Sequence, residues 1–167
     1  MTFNINDLVV YPSHGIGRII DIINDNITNV KTTMYKINFE KKQLIISIPI
    51  NFAESVGMRQ LVSKKDVDNI LQFLSTNQLK KKKITWSKCA AKYESKLNSG
   101  DMYQISEIIK DLYNCITSEN CCYSERVVYE NAMHCLVDEI SCVLDANTNK
   151  IKDVILSALD KKFVESI

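Results

Sequence analysis

The sequence predicts an α+β chain in which a small antiparallel β-sheet domain is followed by an all-α helical bundle. Over the first fifty residues, short apolar segments alternate with polar turns, as in strands. From residue 63 onward, apolar residues recur at the three- and four-residue spacing of helices. The 167 residues suffice for two small domains. We predict a sheet domain at 1–62 and a helical domain at 63–167, with the boundary near a helix at 64–75 or within a connector at 76–84.

The strands of the first domain are predicted from the turns between them. The segment DLVVY precedes SHGIG, a turn in which we expect Gly15 and Gly17 to adopt positive φ, and RIIDII forms the next strand. The alternating segment TTMYKINF is typical of a half-buried strand. EKK then turns the chain into QLIISIPI, where Pro49 lacks an N–H group and should end the strand. Four or five short strands result, enough for a small barrel-like sheet.

The first helices are predicted from their capping residues. Ser63 and Asp66 have the spacing of a capping box, and the apolar residues that follow indicate a helix at 64–75. After the polar connector, Thr85 is suited to cap a second helix. Gly100 should end that helix, because glycine readily adopts the left-handed conformation of the position after a helix.

The remaining helices follow at short intervals, which indicates a bundle. Asp101 and Gln104 have the spacing of another capping box, and Ser124 is predicted to open a longer helix that ends at ANTN. The apolar residues predicted for the inner faces of these helices are Ile105, Ile108, Ile109 and Leu112, then Val128, Ala132, Cys135, Leu136, Ile140, Val143 and Leu144, and finally Ile151, Val154, Ile155, Ala158 and Leu159.

Charge is distributed unevenly along the chain, although the net charge is only +1. Residues 77–100 contain seven lysines and one acidic residue, for a net charge of +6. Residues 101–167 contain six basic and twelve acidic residues, for a net charge of −6. A local concentration of lysines is typical of a surface that binds phosphate groups, and it indicates a nucleic-acid partner.

Several functional classes are excluded at this stage. The six cysteines form no C-x2-C pair, so we expect free thiols without a metal or cofactor. His14 lies in a glycine turn and His134 lies on a helix between apolar positions, and neither belongs to a recognisable catalytic set, so we predict no catalytic residues and no enzyme. No apolar run is long enough to cross a membrane, and the first residues lack a signal peptide. We therefore expect a cytoplasmic monomer with no membrane partner.

The segment KKKKITWSKCAAKY allows two interpretations of Trp86. Because Trp86 shares a helical face with Ala90, Tyr93 and Leu97, it could belong to the core. If Thr85 caps the helix, however, Trp86 is the first helical residue and lies at the rim of the bundle beside the lysines. An apolar side chain flanked by cations is the arrangement by which minor-groove-binding proteins separate base steps.

The order of these motifs resembles the CarD/CdnL family of bacterial RNA polymerase-binding transcription regulators. The motifs that carry the resemblance are INDLVVYPSHGIG, IP at Ile48 and Pro49, WSKCAAKYESKLNSGD and ISEIIKDL, and together they extend over nearly the whole chain. YPSHGIG alone would also suit the related domain of transcription-repair coupling factors. The resemblance implies a Tudor-like first domain that docks on the RNA polymerase β subunit. It also implies a helical domain that stabilises the promoter open complex.

The resemblance assigns the DNA contact to the minor groove at the upstream edge of the bubble. Trp86 would act as the wedge and Lys88 would be a basic contact two residues later. Cys89 and Ala91 stand where relatives often have basic residues, so the charge would come from neighbouring lysines instead. The predicted DNA-binding residues are Trp86, Lys88, Lys92, Lys80, Lys81, Lys82 and Lys83.

The polymerase-facing strands depart from the pattern of the family, because positions near Asp25 and Ser47 are basic in some relatives and are not basic here. An exposed strand edge can instead pair with a partner strand through backbone hydrogen bonds. The predicted polymerase-binding residues are Ile27, Ile45, Ile46 and Ser47.

Two alternative functions remain open from the sequence. The first is a polymerase-binding adaptor that makes no DNA contact and keeps Trp86 buried. The second is a redox or metal sensor that uses Cys115, Cys121 and Cys122.

Overall fold

Two compact units make up the chain, Met1–Leu61 and Val62–Ile167, and each has its own hydrophobic core. The computed structural model describes residues 2–12, 14–27, 30–76, 86–118 and 121–164. Within those ranges, the side chains of residues 25–27, 30–31, 86–89 and 161–164 are not described. Thr85, predicted to cap the second long helix, lies outside the described residues.

The first unit contains a five-stranded antiparallel sheet, which confirms the predicted sheet and is consistent with a Tudor-like domain. Its strands are β1 Leu8–Tyr11, β2 Gly15–Ile27, β3 Val30–Phe39, β4 Leu44–Pro49 and β5 Arg59–Gln60, in the spatial order β4-β3-β2-β1-β5. The EKK segment forms a 3-10 turn, and Pro49 ends its strand as predicted. A short helix, α1, follows at Ile50–Ala53.

One face of the sheet forms the core of the first unit. The buried apolar residues of this core are Phe3, Val9, Ile19, Tyr35, Ile37, Phe39, Ile48, Ala53 and Met58. The Tyr35 hydroxyl also accepts a hydrogen bond of 3.1 Å from the Phe3 N–H, so the start of the chain is tied to the centre of β3.

The two glycines of the SHGIG turn have different roles. Gly15 has a φ of 85°, as predicted. Gly17 does not have positive φ, so that prediction is wrong. A Cβ atom at Gly17 would lie 2.5 Å from Ile37 Cγ2 and 2.8 Å from Phe39 Cε1. The absence of a side chain at Gly17 therefore lets two core residues of β3 pack against the backbone of β2.

Gly17→Ala should destabilise the first unit by about 1 to 3 kcal/mol, the usual cost of overpacking a core. The added methyl group would clash with Ile37 and Phe39, both of which are buried. Urea unfolding followed by circular dichroism measures the loss. Gly15→Asn is the control, because asparagine tolerates positive φ and no atom lies within 4 Å of a Cβ atom at Gly15. Equal stability of Gly17→Ala and wild type would contradict the packing argument.

The second unit is a bundle of helices, as predicted. The described helices are α2 Lys64–Ser75, α3 Trp86–Ser99, α4 Met102–Thr117, α5 Tyr123–Leu144 and α6 Thr148–Val164. The predicted helix at 64–75 and its capping box are confirmed, because Ser63 and Asp66 exchange side-chain-to-backbone hydrogen bonds. Gly100 has a φ of 66°, which confirms its left-handed role.

Asp101 caps α4 without the predicted capping box. Its carboxylate accepts a hydrogen bond of 2.8 Å from the Tyr103 N–H. The Gln104 side chain donates to the same carboxylate, at 3.4 Å, and not to a backbone group. The four residues predicted for the inner face of α4 are all buried, namely Ile105, Ile108, Ile109 and Leu112.

Helix α5 begins earlier than predicted, and its buried face matches the prediction only in part. Its N-terminal cap is Cys122 and not Ser124, because the Glu125 carboxylate accepts a hydrogen bond of 2.8 Å from the Cys122 N–H. Cys135 and Leu144, predicted to be inward, are exposed. On α6, Val154 is likewise exposed. The other residues predicted for the inner face of α5 are buried or pack against the core, and three further residues are buried with them, namely Tyr129, Met133 and Val137.

Helix α2 is held at both ends by buried charged side chains from other helices. Near its start, Glu139 of α5 accepts a hydrogen bond of 3.0 Å from the Val62 N–H. At its end, Lys110 of α4 donates to the Phe73 carbonyl at 2.6 Å and to Thr76 Oγ1 at 2.9 Å. A negative charge near the start of a helix and a positive charge near its end both match the helix dipole. These contacts fix the position of α2 in the bundle.

Candidate functional site

Three of the predicted DNA-binding residues, Trp86, Lys88 and Lys92, belong to α3. The described helix begins at Trp86, and Lys92 is exposed on it. The lysines at 80–83 lie outside the described residues, as do the side chains of Trp86 and Lys88. The wedge role of Trp86 therefore stays a prediction.

Helix α3 packs one face against the core of its unit. Tyr93 is buried, and Leu97 packs against the same core. This face includes Ala90, which is half-buried one turn before Tyr93. By spacing, Trp86 is one further turn toward the start of the helix.

The third lysine of α3, Lys96, is held in an ion pair and does not belong to an exposed row of lysines. Lys96 Nζ forms an ion pair with the Glu107 carboxylate of α4, and only 12% of the lysine side chain is exposed. Gly100 and Asp101 join the two helices, and this pair links α3 to α4 close to that connection. Among the α3 lysines whose side chains are described, Lys92 is the exposed one.

Helix α5 begins at Tyr123 and packs against both α3 and α4.

Three cysteines lie at the connection between α4 and α5. Cys115 Sγ is 3.5 Å from Glu125 Oε2, the carboxylate oxygen that accepts from the Cys122 N–H. Cys121 Sγ is 3.9 Å from Arg126 Nη2. None of these three described thiols forms a disulfide bond. No group of three possible metal ligands is found among the residues whose positions the structure describes.

The two histidines lie in different units and have different surroundings. His14 packs its ring against Tyr11 and Phe39, with ring centroids 5.2 and 5.5 Å away. His134 Nδ1 lies 3.1 Å from Asp138 Oδ2 one turn later on the same helix, in an exposed position. The first histidine is thus a packing residue beside the glycine turn, and the second is a surface residue of α5.

The predicted polymerase-binding residues lie on the sheet of the first unit. Strand β4 is at the edge of the sheet, where it pairs with β3 along one side. Ile45 is 53% exposed and Ser47 is exposed, whereas Ile46 is half-buried against the core. Ile27 ends β2, and its side chain is not described. The edge therefore presents backbone groups together with one prominent apolar side chain.

A cluster of two tyrosines and a carboxylate, Tyr113, Tyr129 and Asp160, joins α4, α5 and α6, and no local sequence pattern indicated it. The Tyr113 hydroxyl donates a hydrogen bond to Asp160 Oδ1. Burial raises the pKa of Tyr113 well above its ordinary value, and this hydrogen bond raises it further. Burial also raises the pKa of Tyr129 to about 12, with the charge of Asp160 as a second cause.

Across the described residues, no helix is both long and apolar enough to span a membrane.

Comparison with known proteins identifies relatives of both units. The family model described as CarD, C-terminal domain, matches residues 69–156, and the model described as CarD-like/TRCF RID domain matches residues 3–62. A protein of Bacillus subtilis (strain 168) with the name "Putative transcription factor YdeB" is 24% identical over 153 residues. That match covers 90% of this chain and 97% of the relative.

The helical unit should lose stability at alkaline pH because of its buried tyrosines. In the unfolded chain these hydroxyls release their protons near pH 10, whereas the folded chain retains the Tyr129 proton to about pH 12. The stabilisation is complete below pH 10 and is lost as the pH rises further. Tyr129→Phe should reduce the difference in unfolding free energy between pH 8 and pH 11. Urea unfolding at the two pH values measures this free-energy difference, and Tyr103→Phe, at an exposed tyrosine, is the control. A Tyr129→Phe protein with the same difference as wild type would contradict the assignment of the pH dependence to Tyr129.

Proposed function

Because this chain belongs to the CarD/CdnL family of transcription regulators, we propose that it binds RNA polymerase and stabilises the promoter open complex. The sheet unit docks on the β subunit of the polymerase. The helical unit contacts the minor groove at the upstream edge of the bubble, with Trp86 as a wedge. The observation that carries the proposal is the start of α3 at Trp86, two residues beyond four consecutive lysines.

The geometry of α3 supports a role for Trp86 at the end of the bundle. Tyr93 and Leu97 attach the helix to the core, and the Lys96 pair with Glu107 links it to α4. A tryptophan in the first turn of a helix held in this way is presented by a rigid support. Rigid mounting lowers the entropy lost when a side chain binds.

The energetics favour DNA that is already open. Unstacking a base step costs a few kcal/mol, and stacking an aromatic ring on an exposed base contributes about 1 to 3 kcal/mol. The two contributions nearly cancel in intact duplex. At the fork the step is already unstacked, so binding stabilises the open state relative to the closed one. The lysines before Trp86 contribute sequence-independent attraction to phosphate groups.

The edge of the sheet supports a polymerase contact that depends little on side-chain charge. Strand β4 can accept a further strand through backbone hydrogen bonds, as in β-augmentation. Ile45 lies on this edge and is the more exposed of its two central isoleucines. A strand added beside β4 would cover part of the Ile45 side chain, so the contact gains apolar burial as well as hydrogen bonds.

Trp86→Ala should shorten the lifetime of the promoter bubble by roughly 5- to 100-fold, the factor expected from the loss of one stacking contact. Promoter-melting kinetics with purified polymerase measure this lifetime. Trp86→Phe is the matched control, since it keeps an aromatic ring and should retain most of the effect. Equal bubble lifetimes for wild type and Trp86→Ala would reject the wedge.

The same variants test an adaptor that binds polymerase without touching DNA. The chain has a single tryptophan, so its fluorescence reports on this residue alone. Quenching on addition of A·T-rich forked DNA is expected for the wedge. An unchanged signal, together with unchanged bubble lifetimes in Trp86→Ala, would favour the adaptor.

Ile45→Glu should weaken binding to the polymerase β subunit about tenfold, because it places a charge on an edge that becomes covered on binding. The measurement is a titration of labelled protein with the isolated β-subunit fragment or with core polymerase. Val154→Glu is the control, since Val154 is 47% exposed, comparable to Ile45 at 53%, and lies on the helical unit. Equal affinities of Ile45→Glu and wild type would place the docking surface elsewhere.

A further inference from the structure

Cys115 and Cys122 are brought together by one carboxylate oxygen. This oxygen, Glu125 Oε2, accepts a hydrogen bond of 2.8 Å from the Cys122 N–H and lies 3.5 Å from Cys115 Sγ. In a disulfide bond, the sulfur of one cysteine lies four bonds from the backbone nitrogen of the other, and thus about 4 to 5 Å from it. The two contacts with one atom hold the Cys115 sulfur within roughly 6 Å of the Cys122 nitrogen, so side-chain rotation can close the remaining gap.

The two thiols differ in their access to solvent. Cys122 is exposed and directly precedes the first residue of α5, whereas Cys115 is half-buried in the last turn of α4. An accessible thiol next to a second thiol is the arrangement found in many redox-sensitive cysteine pairs. In such a pair, a small oxidant reacts first with the accessible thiol, and the second thiol then completes the disulfide.

Cys121, the third thiol at this connection, is less suited to either pairing. Its sulfur lies 3.9 Å from Arg126 Nη2, whereas Cys122 shares the Glu125 oxygen with Cys115. Consecutive Cα atoms are about 3.8 Å apart, which is shorter than the separation of about 4.4 to 6.8 Å usual for a disulfide. A bond between Cys121 and Cys122 would therefore be strained. The contacts favour the pair of Cys115 and Cys122.

We infer that Cys115 and Cys122 are a thiol modification site, at which exchange with a low-molecular-weight disulfide forms a reversible disulfide bond. In the first step, the Cys122 sulfur attacks one sulfur of the small disulfide, whose S–S bond breaks, and one small thiol leaves with the Cys122 proton. In the second step, the Cys115 sulfur attacks the Cys122 sulfur of this mixed disulfide. The second small thiol then leaves with the Cys115 proton. The protein loses two hydrogen atoms and the small disulfide gains them. Neither step depends on the proposed function.

The test uses reduced full-length protein and glutathione disulfide as the oxidant. After the reaction, the remaining thiols are alkylated, and the protein is unfolded and digested with trypsin and a glutamate-specific protease. Cleavage after Glu119 separates Cys115 from Cys121 and Cys122, so the two fragments stay joined only if a disulfide crosses the cut. Mass spectrometry should find joined fragments from the oxidised monomer, and separate fragments after treatment with dithiothreitol. Fragments that stay separate in the oxidised protein would overturn the inference.

Three serine variants identify the two partners. Cys122→Ser should form the cross-link at least about tenfold more slowly than wild type, because the thiol that reacts first is missing. Cys115→Ser should form no cross-link and should accumulate the mixed disulfide at Cys122. Cys121→Ser is the matched control and should form the cross-link at the wild-type rate. A cross-link that is lost in Cys121→Ser and retained in Cys122→Ser would overturn the inference, as would joined fragments found only in disulfide-linked dimers.

The same reaction in concentrated urea separates the effect of the fold from that of nearness in the sequence. In the unfolded chain, Cys121 and Cys122 are almost equally distant from Cys115, so Cys121→Ser and Cys122→Ser should form cross-links at nearly equal rates. If these two variants also react equally when folded, the shared contact with Glu125 has no effect and the inference is overturned. Circular dichroism of each reduced variant checks its fold. Should Cys115→Ser fail to fold, the wild-type fragments and the other two variants still decide the outcome.

Discussion

The helical unit depends on two charges that are buried where α2 begins and ends. Lys110 and Glu139 are 2% and 3% exposed, and an unpaired charge at such a depth would cost several kcal/mol. Each is accommodated because it binds backbone groups near an end of α2, Glu139 at Val62 and Lys110 at Phe73. The Lys110 ammonium also lies 4.2 Å from the centre of the Phe73 ring. Displacing α2 would therefore break hydrogen bonds at both ends and leave two charges without these partners.

The fixed position of α2 determines the point in the helical unit from which the chain enters the lysine-containing segment. Helix α2 ends at Ser75 and the lysines begin at residue 80. Lys110 holds the last turn of α2, so Thr76, the last described residue before the lysines, has a fixed place in its unit. On α3, Lys96 pairs with Glu107. The helices on either side of the lysines thus both bind a charged side chain of α4, although α4 contributes no residue to the predicted DNA-binding set.

Local sequence patterns predicted the elements and many of their ends. The capping box of α2, the left-handed Gly100 and the strand end at Pro49 depend on residues that are close in the sequence, and all three were found. The predictions failed where the packing or conformation of a residue is determined by residues distant in the sequence. Nothing in SHGIG indicates that Ile37 and Phe39 occupy the space beside Gly17.

The helical unit shows the same difference between features set by neighbouring residues and features set by distant ones. The cap of α5 was missed because cysteine is not a usual capping residue, although Glu125 three residues later was a usable signal. Lys110 and Glu139 bind residues 37 and 77 positions away, and such pairs have no local signature. The DNA-binding residues came from the lysine pattern together with the family resemblance, and the contacts of Cys115 and Cys122 with one Glu125 oxygen became visible only in the folded bundle.

The unpaired edge of strand β4 affects the concentration at which this protein begins to aggregate in a cell. A strand edge with unpaired backbone groups and an exposed isoleucine can also pair with the same edge of another copy, which is a route to aggregation. Lysines at the adjoining 3-10 turn, Lys41 and Lys42, oppose that pairing by charge repulsion. In the complex proposed above, polymerase would cover this edge and remove the hazard. On that proposal, overproduction of the chain without its partner would leave the edge exposed to self-pairing.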